Sequence, residues 1–236
     1  MTGILALETA TEACSVALFL DGHFEQRHEI VPRRHSQRLF AMLRELLPGG
    51  DLRSHGIEAI AYGCGPGSFT GLRIATSAVQ GLCYACDLPA LAVSTLACQA
   101  QTALRKGLVD AGSTVLSVLD AQISQIYSAL YAFEEGLATQ RSDPVACAPG
   151  QLELPAHCGP LSAVGSGCQL LGESPPSVRN RVTNTIAQVL PEARDLIPLA
   201  LGQWRRGEVQ SPRQVQPVYV RDEISWKKLA EQGRQS

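Results

Sequence analysis

The densest group of chemistry-bearing residues is Tyr62-Gly63-Cys64-Gly65-Pro66-Gly67-Ser68-Phe69-Thr70-Gly71-Leu72-Arg73, placed where a strand-like apolar run hands over to a helix. Glycines allow close backbone approach, and a helix N-terminus presents N–H groups to an anion, so a phosphate loop is the first chemistry to test. The spacing does not support it. A P-loop needs Gly-Lys-Ser/Thr where this chain has Gly71-Leu72-Arg73. The dinucleotide fingerprint fails because Gly65 and Gly67 are followed by Thr70, with Gly71 one place late. A nucleophile elbow fails because Pro66, not glycine, stands two residues before Ser68.

Other reactive residues are weaker leads. Ser68 as a nucleophile with His35 as its base lacks any triad spacing. Glu8 and Asp120 could face each other across a cleft as paired acids, or serve structure alone. Cys83 and Cys86 have the spacing of a redox or half-zinc site, but no second pair accompanies them, and they read as small buried hydrophobes. His23, His28, His35, His55 and His157 are scattered without ligand spacing. Arg33, Arg34, His35 and Arg38 form either a docking patch for an acidic partner or tRNA phosphate, or the solvated start of a helix.

Around these residues the chain alternates strand-like and helix-like patterns. Residues 4–8 and 14–20 are apolar runs, and Asp21-Gly22 turns the chain into a third run at 24–31, which predicts a three-stranded meander. Ser36 is expected to cap a helix whose residues Leu39, Phe40, Leu43, Leu46 and Leu47 share one face, and Pro48-Gly49-Gly50 stops it. A strand at 57–64, a helix at 71–86, a strand at 90–93 and a helix near 96–104 follow, extending the meander with parallel strands. Along the helix at 71–86, Gly71, Ala75, Ala78, Gly81 and Ala85 recur at steps of three or four, so another backbone can approach one face closely. That helix is either a central core element or the face that meets another subunit.

The opening pattern returns 112 residues later, with Glu8 matching Asp120, Ala17 matching Ala129 and Leu18 matching Leu130 in one unbroken register. Either two hydrophobic hairpins coincide or the chain is duplicated, with halves meeting near 106–113. In the second half a strand is expected at 161–165, helices near 184–190 and 192–206, an extended segment at 217–221 and a frayed end at 232–236.

Composition limits the function. With 236 residues and 45% hydrophobic content the chain can bury one or two cores, and its net charge of −2 gives no general attraction to nucleic acid or anionic membrane. The first residues lack the basic start and long apolar run of a signal peptide, and no transmembrane run is present, so a cytoplasmic protein is expected.

At this point the residues resemble the TsaB (also called YeaZ) family. The stretch 6–18 is similar to its first hairpin, and Gly65-Pro66-Gly67-Ser68-Phe69-Thr70-Gly71-Leu72-Arg73 to its most distinctive motif. Arg34 to Arg38, Val93 to Leu96, Asp120-Ala121, Pro217 to Tyr219 and Trp226-Lys227-Lys228 match further along, with thin similarity from about 136 to 210. The resemblance implies an actin-like (ASKHA) α/β fold of two duplicated lobes, 1–106 and 107–236, each with a mixed sheet flanked by helices. It implies a non-catalytic subunit that pairs with the catalytic paralogue TsaD and the ATPase TsaE. These transfer threonylcarbamoyl, from an adenylate made by TsaC, to the adenosine beside the anticodon of tRNAs reading codons that begin with A. The family also forms homodimers through the same helices, and tRNA is reached indirectly through the complex. The implied interface comprises Leu39 and Leu43 of the first helix with Phe69, Thr70, Gly71, Arg73, Ile74, Ala75, Ala78 and Leu82 of the second.

The departures from catalytic relatives fit a partner role. TsaD-like subunits carry H-x-x-x-H after the corresponding strand, whereas Val93-Ser94-Thr95-Leu96-Ala97-Cys98-Gln99-Ala100 has no histidine. Actin-like ATPases show D-x-G-T where this chain has Glu8-Thr9-Ala10-Thr11, and Ala10 sets a methyl group where phosphate would approach. Asp120-Ala121-Gln122 replaces the family's Asp-Ala-Arg. No cofactor is therefore assigned to the chain itself, and ATP and metal belong to the partners. The competing expectation is a stand-alone hydrolase, protease or remnant ATPase, whose turnover would depend on Ser68 or Glu8; a sugar kinase is disfavoured by the chain's length. The subunit reading predicts that Ala78→Arg abolishes the complex and leaves the monomer folded.

Overall fold

The computed structural model describes residues 2–49, 51–156 and 158–220. The segment that includes Trp226-Lys227-Lys228, Arg221 and the frayed end expected at 232–236 lies outside the described residues. Two sheets form the framework. The first is built from β1 (Gly3–Glu8), β2 (Ala13–Leu20), β3 (His23–Ile30), β4 (Ile57–Gly65) and β5 (Ala90–Ser94), in the order β3-β2-β1-β4-β5. The second comprises β6 (Thr114–Gln122), β7 (Gln125–Glu134), β8 (Leu137–Gln140), β10 (Leu161–Val164) and β11 (Val182–Ile186), with β9 (Val145–Cys147) pairing with β7 beside β8. Its order β8-β7-β6-β10-β11 repeats the first, antiparallel through the meander and parallel beyond it. The duplication and the actin-like fold class are therefore present in the protein.

The unbroken register is corrected. Leu5 pairs with Leu18 and Ala6 with Ala17, but Leu116 pairs with Leu130 and Ser117 with Ala129, one residue tighter than the shift of the first strand requires. The cause is the turn. The ladder of β6 and β7 runs on through a bulge to Gln122 and Gln125, closing on Ile123 and Ser124. Gln122, Ile123 and Ser124 all have positive φ, as a two-residue primed turn preceded by a bulge demands. The Asp21-Gly22 turn has positive φ at both residues, the conformation its sequence predicts.

The described residues also form five helices, α1 (His35–Leu46), α2 (Phe69–Cys86), α3 (Thr95–Arg105), the short α4 (Pro176–Arg179) and α5 (Ala193–Arg205), with 3-10 turns at Pro149–Gln151, Ser166–Glu173 and Pro212–Gln214. The first strand is a continuous apolar run because both of its faces are covered. Leu5 and Leu7 point into a core with Leu39, Met42 and Val79 of α1 and α2, while Ile4 and Ala6 point into one with Leu196 and Ile197 of α5. Ala6, Ala17, Ala59 and Ala61 keep that second face flat enough for a helix to lie on it. The two closing helices trade places: α5 packs on the first sheet, whereas Leu96, Ala100 and Ala103 of α3 pack with Val115, Leu119 and Tyr131 of the second. No helix among the described residues is long and apolar enough to cross a membrane.

Several element expectations are revised. The helix expected at 184–190 is the strand β11, since Val182-Thr183-Asn184-Thr185-Ile186 is mostly β-branched and β10 offers it a parallel edge. Ser36 does not cap α1; the helix begins at His35 and Arg34 supplies no side-chain bond. Phe40 leaves the apolar face, because Leu39, Met42, Leu43 and Leu46 hold the buried stripe. The second helix begins at Phe69, two residues earlier than expected, with the Ser68 hydroxyl accepting the Gly71 N–H.

Candidate functional site

The end of β1 and the glycine loop grip each other. Ser68 N–H donates to the Ala10 carbonyl at 2.7 Å, and the Thr9 hydroxyl donates to the Gly71 carbonyl at 2.7 Å. A Cβ on Gly71 would lie 2.0 Å from the Thr9 carbonyl oxygen, and one on Gly67 would lie 2.5 Å from that of Ala10. The glycines are therefore needed for contact with the chain's own first turn. The close approach inferred from the sequence is real, but within one subunit.

Glu8 sits below this turn, fully buried, accepting from Ala10 N–H at 2.7 Å and from the Thr95 hydroxyl at 3.5 Å. Burial dominates and pushes its pKa up to about 7, against the pull of these hydrogen bonds. Above the turn, a cleft of about 930 Å³ opens between the sheets, lined by Ala10, Thr11, Gly67, Ser68, Asp120 and Ser166 among others. Asp120 is exposed there and accepts Gln122 N–H at 2.7 Å. Glu8 is absent from that lining, so the paired acids do not share the cleft. Thr95 and Gln99 open α3 one turn apart. Thr95 turns to Glu8, and Gln99 bridges the Ser117 hydroxyl and the Val189 carbonyl.

The remaining reactive candidates have structural employment. Ser68 is the α2 cap, and His35, almost fully buried, places Nε2 3.2 Å from the Ala13 carbonyl, although both residues touch the cleft. Arg38 is paired with Glu29 and Glu45, while Arg33 and Arg34 are exposed and make no ion pair among the described residues. Cys83 is buried, its thiol pushed up to about 12, and Cys86 is half-buried; both are free. Among the described residues no three His, Cys, Asp or Glu side chains group as a metal set would require.

The residues expected at a subunit interface separate into two groups. Leu39, Leu43, Gly71, Ala75 and Ala78 are buried within the chain, and Leu82 and Ile74 are partly buried against the first core. They hold α1 and α2 to the sheet. Phe69, Thr70 and Arg73 are exposed, and with Ile74 and the edge of Ala78 they line a groove of about 560 Å³ between α1 and α2. Its other walls, Ser36, Phe40 and Ser77, were not foreseen as interface residues. The signal for Phe40 was available: it breaks the stripe of Leu39, Met42, Leu43 and Leu46. Along the same outward face, Tyr84 is 78% exposed and Phe69 51%. Because Ala78 belongs to the core, Ala78→Arg would test folding before it tested assembly.

Comparison with known proteins places this geometry. Residues 26–164 match the family described as TsaD, tRNA N6-adenosine threonylcarbamoyltransferase. The tRNA threonylcarbamoyladenosine biosynthesis protein TsaB of Escherichia coli (strain K12) is 36% identical over 232 residues, covering 96% of this chain and 97% of its own. TsaB of Haemophilus influenzae is 31% identical over 234 residues, covering 96% of each. The solved structure of YeaZ from Pseudomonas aeruginosa superposes with a TM-score of 0.85 at 37% identity, over 93% of this chain and 100% of that one.

Proposed function

The chain belongs to the TsaB (YeaZ) family, and from that premise we propose that it serves tRNA threonylcarbamoyladenosine biosynthesis as a subunit that binds and activates TsaD without catalysing the transfer itself. TsaE and ATP act in the same assembly, in the cytoplasm; tRNA is met through the complex, and in the absence of TsaD a second copy of the chain covers the same face. The division into lobes at 106 and 107 belongs to this reading.

The observation that carries it is the outward face of α1 and α2. Phe40 and Phe69 stand exposed in the groove wall, and Tyr84 is exposed further along α2, where an isolated subunit would gain by burying them. Among the described residues, Arg73 is the charged residue of the groove lining, which contains no carboxylate. The complementary surface is apolar, with a carboxylate placed to meet that guanidinium. The residues of the old cleft support the division of labour: the Glu8 carboxyl is sealed under the Thr9-Ala10 turn, and Thr95 and Gln99 stand where α3 begins.

The test is reconstitution of tRNA modification with TsaC, TsaD and TsaE, with and without this chain. Modification is expected to fall at least tenfold when the chain is omitted. Ser77→Arg, which adds a long cation on the exposed face, is expected to abolish co-elution with TsaD on gel filtration while leaving the unfolding midpoint unchanged. Equal modification without the chain sinks the reading. So does turnover by the isolated chain that disappears in Ser68→Ala or Glu8→Ala.

A further inference from the structure

The segment after the last 3-10 turn returns to the glycine loop as a strap. Val215 is buried in the first core, and the Tyr62 hydroxyl lies 2.8 Å from Gln210 Oε1 and 3.3 Å from the Gln216 carbonyl. Val218 N–H then donates to the Cys64 carbonyl at 2.7 Å. These bonds deliver Tyr219 to the beginning of α2. Its ring lies 5.6 Å from the Phe69 ring at an interplanar angle of 32°, and its hydroxyl accepts from Arg73 Nε at 3.2 Å. The Arg73 guanidinium carbon sits 3.9 Å from the Phe69 ring centroid. Arg73, Phe69 and Tyr219 thus form one exposed assembly, stacked and hydrogen-bonded, at the mouth of the α1–α2 groove.

We propose that Tyr219 is a positioning residue for the partner surface: it fixes Phe69 and Arg73 in the orientation that the docking subunit meets. An arginine on an exposed helix samples many rotamers, and ordering it on binding weakens the complex. Here the stack on Phe69 and the bond to Tyr219 restrict it beforehand, leaving its other guanidinium N–H groups to meet a carboxylate. Phe69 is restrained in the same way, by the cation over its ring and by contact with a second ring. The proposal rests on the docking reading above and adds that the C-terminal strap, 146 residues from Arg73, sets the affinity of that face.

The experiment uses the full-length chain and its cognate TsaD, with Kd from calorimetry and the unfolding midpoint of each variant. Tyr219→Ala is expected to raise Kd about tenfold or more, and Tyr219→Phe, which keeps the stack and loses the hydroxyl, only a few-fold. In a cycle with Arg73→Ala, the combined loss is expected to fall clearly short of the sum of the single losses, because part of the effect of Tyr219 runs through Arg73. Midpoints should stay within about 2 °C, a ~1 kcal/mol window for a domain of this size. Unchanged affinity in Tyr219→Ala, or strictly additive losses, overturns the proposal. A Tyr219→Ala variant that unfolds hands the decision to Tyr219→Phe, whose wild-type affinity would then overturn it. Wild-type protein that fails to bind TsaD, or Ser77→Arg that binds normally, defeats the docking reading instead.

Discussion

Glu8 shows how burial alters the chemistry of one side chain. It occupies the end of the first strand, where an acid could serve a cleft, yet it is fully buried beneath the Thr9-Ala10 turn. Burial raises its pKa from the usual 4.5 to about 7. The folded protein therefore holds a proton that the unfolded chain has already released between those values. The contribution of Glu8 to stability is fully present below about pH 4.5 and is lost as pH rises through 7, by roughly 3 kcal/mol in total. Glu8→Gln keeps an oxygen for the Ala10 N–H and removes the titration. Urea unfolding at pH 5, 6.5 and 8 should show the variant flat on this account and, at pH 8, more stable than wild type by about 2–3 kcal/mol. A wild-type stability as high at pH 8 as at pH 5 would mean that the carboxyl reaches water.

At the scale of elements, α2 carries two requirements on opposite faces. Its first turn is locked to β1 through Ser68, Thr9 and Gly71, with a methyl on Gly71 meeting backbone at 2.0 Å. Backbone cannot yield as a side chain end does, so Gly71→Ala should cost about 2 kcal/mol or more. Gly81 lies on the exposed face with open space at its Cβ position. Gly81→Ala should gain about 0.5–1 kcal/mol through helix propensity. Both are read from urea midpoints; equal effects at the two sites would contradict the packing described. The periodicity of Gly71, Ala75, Ala78, Gly81 and Ala85 was legible from the chain, but it merges a buried set with an exposed one. Spacing reports which residues share a face, not whether the neighbour belongs to the same molecule.

Across the whole molecule, the two sheets are joined by α3 and α5. Arg105 donates to Asp195 Oδ1 at 2.7 Å and to Glu192 Oε2 at 2.7 Å, the Thr102 hydroxyl donates to Asp195 Oδ2 at 2.7 Å, and Gln26 reaches Glu192 from β3 at 2.8 Å. Asp195 and Glu192 are buried, so their charges depend on this network. Arg105→Met should destabilise the protein by about 3 kcal/mol, since Lys106 remains beside Glu192 but Asp195 loses its cation. Adding Asp195→Leu should restore part of the loss by removing the stranded charge. Urea unfolding of the three proteins checks this; a double variant weaker than Arg105→Met would show the network to be packing rather than electrostatics.

Local chemistry explains what could be read from residues alone. Asp-Gly turns, unbroken apolar runs, the glycine loop and the missing histidine pair act over a few positions, and from them the meander, the duplication and the family emerge. The partners that folding recruits from afar were beyond such reading. Val182–Ile186 became a strand because β10 offered an edge. The second hairpin tightened by one residue at a turn of three left-handed residues. Tyr219 came to rest on Phe69 from the far end of the chain. Each outcome was set by which surfaces compete for burial once the sheets exist, a comparison between distant segments that spacing along the chain does not encode.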